Sequence, residues 1–346
     1  MGGCLSNPAR PEETAEAPPK QYSWDKRRQE LDPKDYTYDG LKGETVGKTP
    51  GQLNGQQFTI QNCEDCNIYI FDHVSTVQID DCVNCRIFVG PVKQSLFIRD
   101  CKDCKLMTAC QQFRTRDCKK IDIFLSCVTQ PIIESSTGMK FASFQFSYPQ
   151  LEDQFKSSQI SIYNNNWSSI HDFTPVDGEN NHSLLPEDAK VEDYIPIPTI
   201  EHFQNMQLST DSNKSVVPRT LGSRRKPSDQ SCLVVFFNDG GSQDRAKRFI
   251  EAMRQYDCVL VQTKEMSLKS EDAERVFGTD AYNAVASTGP VIGFEYNGDG
   301  VVERCQEQVV TVSQGTTGMV FVSQNHKLAA QQIDNFYNFA EMQMAV

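Results

Sequence analysis

Apolar and polar residues alternate in short runs from about residue 60 onward, and the runs recur at a regular interval. Alternation with a period of two predicts β-strands with one buried face. The alternating pairs are Ile68/Ile70, Val77/Ile79, Ile87/Val89, Leu96/Ile98 and Leu106/Thr108. Because each run is too short to close a core by itself, we expect the units to stack on one another.

A cysteine motif repeats in phase with these runs. The first cysteines of the four copies are Cys63, Cys82, Cys101 and Cys118, which lie 19, 19 and 17 residues apart. About 17–20 residues per turn, with Asp, Asn or Gly at the corners, is typical of one coil of a parallel β-helix. The repeat therefore predicts a right-handed parallel β-helix.

Zinc binding is the alternative interpretation of the same cysteines. Cys63, Cys66, Cys82 and Cys85 have the C-x2-C-x15-20-C-x2-C spacing of a zinc ribbon. A third pair would have no partner, however, and the fourth copy lacks its second cysteine. Because the cysteines also keep the phase of the apolar repeat, we favour an inward ladder of small apolar side chains and no metal.

The pattern changes after residue 230 and predicts an α+β sandwich. A buried strand starts at Cys232, a helix follows with Phe249 and Met253 on one face, and a strand covers 259–261. A helix is expected near 270–277. The strand at 291–296 is expected to turn through the Asn-Gly and Asp-Gly pairs of 297–300 into a second strand at 301–305. A strand at 319–322 and a helix around 333–339 complete this part.

These patterns divide the chain into four segments. Residues 1–20 are a flexible, lipidated N-terminus rich in Pro, Glu and Ala, and residues 21–176 contain the β-helix. Residues 177–230 are polar and form a linker, and residues 231–346 form the second domain. The aromatic residues between 139 and 175 are expected to finish the β-helix and cap its open end.

Composition narrows the possible functions. The net charge of −12 argues against non-specific nucleic-acid binding, which needs a basic surface. There is no run of about 18 apolar residues and no secretory signal, so we expect a cytosolic protein. Its 13 cysteines should then be mostly reduced.

The first residues predict attachment to a membrane. After removal of the initiator methionine, Gly2 fits the myristoylation pattern with Ser6 at the expected offset. Cys4 lies close enough to accept a palmitoyl group. Because one myristoyl chain holds a protein only marginally, the two sites together predict a stable anchor.

Two arginines are the candidate functional residues of the third coil. If Phe113 and Thr115 face the core, Arg114 and Arg116 project outward from one rigid strand. Aligning Cys118 with Gly138 shifts the next coil by 20 residues. That shift places Glu134 beside Arg114, where a carboxylate would orient the guanidinium. The alternative is an ordinary surface ion pair, which contributes little to stability.

The residues from Gln111 to Arg114, set in a cysteine-rich β-helix, resemble the domain of the tubulin-folding cofactor C family. The resemblance to one branch of this family extends over nearly the whole chain and includes the acylated start. It is most evident in residues 20–24, 67–73, 130–136 and 170–175.

The resemblance implies a function. Members of that branch are GTPase-activating proteins for Arf-like small GTPases, chiefly Arf-like protein three. Arg114 then matches the arginine finger, Gln111 its partner glutamine and Glu134 the supporting acidic residue, while we expect Arg116 to bind the partner. The chain itself would need no cofactor, because the GTPase carries GTP and Mg. Localisation at the cytoplasmic face of the plasma membrane and at the cilium, with a role in trafficking lipidated proteins, is implied in the same way.

The second half resembles nucleoside diphosphate kinase, a ferredoxin-like fold, most clearly in residues 289–295. The phosphate-accepting histidine of that family is absent from 319–322, and His326 is out of register. We therefore predict no kinase activity. The alternatives to a GTPase activator that stay open are a catalytically silent membrane-anchored adaptor or effector, a zinc-dependent adaptor, and a nucleotide-binding kinase-like protein.

Overall fold

The computed structural model describes residues 32–315 and 318–344, and in this part of the chain twelve strands wind into a parallel β-helix. The strands of the coil are β1 (Thr37–Asp39), β2 (Thr45–Lys48), β3 (Phe58–Gln61), β4 (Asn67–Ile70), β5 (Val77–Asp80), β6 (Arg86–Arg99), β7 (Lys105–Arg116), β8 (Asp122–Cys127), β9 (Ile132–Glu134), β10 (Met139–Ser143), β11 (His171–Asp172) and β12 (His182–Leu184). Between β10 and β11 lies the helix α1 (Leu151–Ser158).

The strands form two rows that share β6 and β7. One row runs β2, β4, β6, β7, β8, β10, β12 and the other runs β1, β3, β5, β6, β7, β9, β11. Every neighbouring pair is parallel. The parallel β-helix predicted from the repeat is therefore confirmed.

The Asp and Asn residues of the motif make the corners of each coil. Asn62, Asp81, Asp100 and Asp117 all have φ between 52° and 55°, in the left-handed region. A second left-handed position follows three residues later in each coil, for example at Asp65 with φ 58°. Asp and Asn tolerate this conformation because their short side chains bond the local backbone. This explains why each cysteine of the repeat follows, or lies close to, an Asp or Asn.

The aromatic residues after β10 mostly pack on the side of the coil, which corrects the prediction that they cap its end. Phe144, Phe146 and Phe155 lie in one cluster with Tyr69 and Phe88, whose side chains point out of the row formed by β4 and β6. Trp167, by contrast, joins the interior of the coil together with Phe141. The outer face of this row is apolar, and the later segment covers it.

Much of the segment from 177 to 230 also packs against this side of the coil. It contains α2 (Val191–Tyr194) and short 3-10 turns at Glu201–Phe203 and Ser212–Lys214. Val191, Phe203 and Val217 are buried in the same aromatic cluster. The predicted limits of this segment, 177 and 230, stay a prediction.

The second half is a four-stranded antiparallel sheet with helices. Its elements are β13 (Ser231–Phe236), α3 (Ser242–Met253), β14 (Val259–Met266), α4 (Ser270–Phe277), a 3-10 turn at Asp280–Tyr282, α5 (Asn283–Ala286), β15 (Val291–Asn297), α6 (Val301–Ser313), β16 (Val320–Val322) and α7 (His326–Met344). The strand order β14, β15, β13, β16 is that of a ferredoxin-like βαββαβ unit. The predicted mixed α and β architecture of this half is confirmed.

The hairpin predicted at 297–305 is wrong. The Asn-Gly-Asp-Gly run leads from β15 into the helix α6, and Gly300, with φ 67°, precedes its first residue. Val301, Val302, Cys305 and Val312 are buried on one face of this helix. A glycine-rich turn can follow a strand in a β-hairpin or lead from a strand into a helix. The spacing of the apolar residues after the turn distinguishes the two cases.

Residues 36–346 form one compact unit. The Glu152 carboxylate of α1 pairs with the Lys247 ammonium group of α3 at 2.6 Å. The Thr263 hydroxyl donates to the Tyr163 carbonyl at 2.7 Å, and the Leu221 amide donates to the Leu260 carbonyl at 2.8 Å. The coil and the second sheet are thus held together by specific polar contacts.

Candidate functional site

Arg114 lies on the outer surface of β7, where the strand has just passed a corner of the coil. Cys110 and Phe113 both point into the core, although they are only three residues apart. The chain therefore bends between them, and Gln111 and Gln112 are left half-buried at the corner. Beyond the corner the alternation is regular: Phe113 and Thr115 are buried, whereas Arg114 and Arg116 are exposed. The predicted outward orientation of both arginines is confirmed.

The buried neighbours of Arg114 hold its backbone in place. The Phe113 ring packs edge-on against Phe141 in the core. The Thr115 hydroxyl donates to the Ser136 hydroxyl at 3.1 Å on the next coil. Because both flanking side chains are fixed, only the side chain of Arg114 is free to move.

The strand register corrects the predicted partner of Arg114. Arg114 lies between Phe97 on β6 and Ile132 on β9, whereas Glu134 lies beside Arg116. The shift from β7 to β9 is 18 residues (132 − 114), not 20, and the neighbouring bridge from Lys119 to Thr137 shows the same shift.

The register predicted from the sequence is wrong because it aligns Gly138 with Cys118. In the structure Gly138, with φ 67°, is level with Lys120, with φ 56°, at the second left-handed position of the coil. Glycine replaces the residue of positive φ, which is its usual role at a turn. The buried position level with Cys118 belongs instead to Ser136, whose hydroxyl accepts a hydrogen bond from the Cys118 amide at 3.1 Å.

The charged side chains around Arg114 differ in whether they form ion pairs. Arg99 forms a bidentate pair with Asp80, at 2.8 Å from both Nε and Nη2. The Arg116 Nε atom lies 3.4 Å from the Asp117 carboxylate. Within the described residues, the side chains of Arg114 and Glu134 form no ion pair or hydrogen bond with protein atoms. Arg114 is therefore a free guanidinium on a rigid support.

A cleft of about 440 Å³ surrounds this guanidinium. Phe97, Ile132 and Phe173 supply its apolar lining, and Arg99, Arg116 and Glu134 supply its charges. The Phe173 side chain is 62% exposed and stands edge-on to His171, with ring centroids 5.0 Å apart. Sequence reasoning missed Phe173 as a site residue, because nothing in the pattern of a loop separates an exposed aromatic residue from a buried one.

Gln111 is not among the described residues that line this cleft. Its carbonyl group accepts hydrogen bonds from the Thr129 amide at 3.1 Å and the Thr129 hydroxyl at 3.0 Å, which fix the corner. Gln111 and Arg114 share one strand, Gln111 half-buried and Arg114 exposed, but no contact in the described structure joins them.

The cysteines of the repeat form two ladders inside the coil, as the stacking interpretation predicted. Cys63, Cys82, Cys101 and Cys118 make one ladder, and Cys66, Cys85 and Cys104 make the other; all are buried. Burial raises the pKa of the Cys63, Cys66 and Cys110 thiols and so favours the protonated form. In residues 32–315 and 318–344, no three His, Cys, Asp or Glu side chains are grouped so that they could hold a metal ion.

The predicted acylation sites and the histidine of the second half lie away from this cleft or outside the described residues. Gly2 and Cys4 lie outside the described residues. His326 is exposed at the first residue of α7, beyond the end of β16, and the absence of kinase activity stays a prediction. None of the helices in the described part of the chain combines the length and apolar character that a membrane span requires.

Comparison with known proteins places the coil in a defined class. The family model for tubulin binding cofactor C matches residues 55–173, which include the corner, Arg114 and Phe173. Tubulin-specific chaperone C from Homo sapiens is 30% identical over 156 residues, covering 44% of this chain and 45% of that protein. A solved structure of tubulin binding cofactor C from Leishmania major, 19% identical, covers 47% of this chain and 93% of that one with a TM-score of 0.32. The coil is thus similar in sequence to tubulin binding cofactor C over residues 55–173.

Two relatives match over nearly the full length. Protein XRP2 from Gallus gallus is 57% identical over 346 residues, covering 99% of this chain and 95% of that protein. Protein XRP2 from Homo sapiens is 57% identical over 340 residues, covering 98% and 96%. The chain belongs to the XRP2, or retinitis pigmentosa 2 protein, family, and the resemblance noted in the sequence is confirmed.

Proposed function

We propose that this protein accelerates GTP hydrolysis on an Arf-like small GTPase by inserting Arg114 into the partner's nucleotide site. The main support is the exposed Arg114 guanidinium, which has no partner in the described structure and whose backbone is held by the buried Phe113 and Thr115. A docking partner would therefore find the guanidinium free and would not first have to break an ion pair.

The chemistry of phosphoryl transfer needs such a group. Negative charge spreads over the γ-phosphate oxygens in the transition state, and a guanidinium supplied in trans neutralises it in an interface from which water is excluded. Arginine fingers contribute on the order of 10³–10⁵ in rate. Lysine would be a poor substitute, because it lacks the planar fork that contacts two oxygens at once.

The residues around Arg114 would have supporting roles. Phe97, Ile132 and Phe173 offer an apolar rim that excludes water when the GTPase docks. Because Glu134 lies beside Arg116, we assign these two to binding the partner rather than to steering Arg114. Gln111, which lies half-buried at the corner, is assigned to contact the GTPase next to the finger.

The partner would be the GTP-bound form, which carries the nucleotide and Mg, so the chain itself would need no cofactor. Acyl chains on Gly2 and Cys4 would hold the protein at the cytoplasmic face of the plasma membrane and at the cilium, where it would act in trafficking lipidated proteins. Two acyl chains suffice for stable attachment, whereas one does not.

A single-turnover assay with GTP-loaded Arf-like protein three tests this proposal. We expect the full chain to raise the hydrolysis rate by about 10³-fold or more, and Arg114→Ala and Arg114→Lys to abolish nearly all of that increase. Arg86→Ala is the matched control, because Arg86 lies on the other row of the coil and should leave the rate unchanged. An Arg114→Ala protein that stimulates hydrolysis as well as the wild type would refute the proposal.

A further inference from the structure

A second group of arginines meets far from Arg114 along the chain, in a cleft between the segment after residue 210 and the second sheet. Arg219, Arg224 and Arg254 line this cleft, which has a volume of about 290 Å³. Glu187 is the one carboxylate among the lining residues that the structure describes. In a protein with a net charge of −12, this local excess of positive charge needs an explanation.

Two of these arginines are held by backbone groups and not by carboxylates. Arg219 donates from Nη2 to the Glu187 carbonyl at 2.5 Å, and Arg224 donates from Nη2 to the Leu185 carbonyl at 2.6 Å. Arg224 also stacks over the Trp167 ring, 5.2 Å from its centroid. One nitrogen of each fork is thereby occupied, and the other donors of the guanidinium remain available.

Positive charge exceeds negative charge in this cleft. Within the described residues, Arg219, Arg224 and Arg254 form no ion pair, and Glu187 is the one carboxylate that lines the cleft with them. Burial and the nearby Arg219 charge lower the pKa of Arg224, against the opposing influence of Glu187. Three guanidinium groups beside a single carboxylate favour an anion from outside.

The rest of the lining fits an organic anion better than a bare ion. Ile250 and Leu260 supply apolar surface, and Asn213 and Thr220 supply polar groups. Asn213, Ile250 and Arg254 are shared with an adjoining cleft of about 720 Å³, which extends the available space. Arginine forks match phosphate oxygens in geometry and bind them by charge-assisted hydrogen bonds.

We propose that the cleft lined by Arg219, Arg224 and Arg254 binds a phosphorylated small molecule, with its phosphate on the guanidinium groups and its organic part toward Ile250 and Leu260. The site is independent of the GTPase-activating role of Arg114. The phosphate could belong to a soluble metabolite or to the headgroup of a phosphorylated lipid, and the chemistry of recognition is the same for both.

Isothermal titration of the full chain with inorganic pyrophosphate tests the site. We expect saturable binding at sub-millimolar concentration that weakens as salt is added. Arg219→Ala and Arg254→Ala should each reduce the affinity about tenfold, as expected for loss of a charge-assisted hydrogen bond. Arg248→Ala is the matched control, since Arg248 is exposed on α3 and does not line the cleft.

A further variant is expected to increase the affinity for pyrophosphate. Glu187→Gln removes the carboxylate that repels an anion and should tighten pyrophosphate binding about two- to threefold. A parallel binding experiment with vesicles containing phosphatidylinositol bisphosphate distinguishes a membrane source of the phosphate from a soluble one. Binding in either arm, pyrophosphate or vesicles, that is lost in Arg219→Ala supports the site. Absence of binding in both arms, or binding that Arg219→Ala, Arg254→Ala and Glu187→Gln all leave unchanged, would overturn it.

Discussion

The same substitution, threonine to valine, is expected to change stability in opposite directions at two buried positions. Thr220 accepts a hydrogen bond of 2.9 Å from the Trp167 indole nitrogen, and Trp167 is 1% exposed. Thr108 is fully buried between Val89 and Leu125 on the neighbouring coils, and its hydroxyl has no hydrogen-bond partner among the residues that the structure describes. Valine has nearly the shape of threonine, so the change isolates the hydroxyl group.

The structure sets the size of each effect. Thr220→Val leaves the buried indole N–H without an acceptor, which costs about 1–3 kcal/mol. Thr108→Val removes a buried hydroxyl that makes no hydrogen bond, which should raise the free energy of unfolding by about 1–2 kcal/mol. Both are large fractions of the roughly 5–15 kcal/mol that stabilises a typical folded protein.

Urea unfolding of the full chain, followed by tryptophan fluorescence, measures both changes. The sequence contains two tryptophans, so a Trp24→Phe background makes Trp167 the single reporter. Circular dichroism followed on the same samples checks that the transition is cooperative. If Thr108→Val were destabilising, or Thr220→Val neutral, the hydrogen-bond assignments in the coil would be wrong.

Three further predictions concern the surface. Phe173→Ala should lower the affinity for the proposed GTPase partner about tenfold without changing the circular dichroism spectrum, because the ring is exposed and would be covered only by a docked partner; a loss of folding would contradict this. A double-mutant cycle in urea unfolding should show a coupling below about 1 kcal/mol between Glu134 and Arg116 and none between Glu134 and Arg114. The reverse result would favour the register predicted from the sequence, in which Glu134 lies beside Arg114. The hydrogen bond from Lys247 lowers the pKa of Glu152, so its stabilising effect is present above the ordinary value of 4.5 and is lost as the pH falls through the lowered value. Glu152→Gln should therefore destabilise by about 0.2–1 kcal/mol at pH 7 and by progressively less as the pH falls below 4.5, as thermal melts across this range would show; an effect independent of pH would exclude the ion pair as the cause.

The coil could be predicted because its determinants are local. Alternation of apolar residues specifies the strands, and Asp or Asn at positions such as Asn62 and Asp81 specifies the left-handed corners. The outward orientation of Arg114 followed directly from the burial of Phe113 and Thr115. Such features depend on neighbours in the chain, which the sequence displays.

Features that depend on contacts between distant segments were harder to predict. The predicted register of β9 differs from the observed one by two residues, because Gly138 is level with Lys120 and not with Cys118. The sequence predicts a strand at 301–305, where the helix Val301–Ser313 begins, because the turn before it suits both. The exposure of Phe173 and the meeting of Arg219 with Arg254 arise only when the chain has folded.

The fixed backbone at Arg114 has a consequence for control. A residue whose two neighbours are locked into a stacked core cannot be withdrawn by a loop or hinge movement of the same chain. If Arg114 acts on a GTPase as proposed, its activity would be regulated from outside the chain, by how often the partner arrives and in which nucleotide state. Concentrating both proteins on one two-dimensional surface would then be the natural means of turning the reaction up or down.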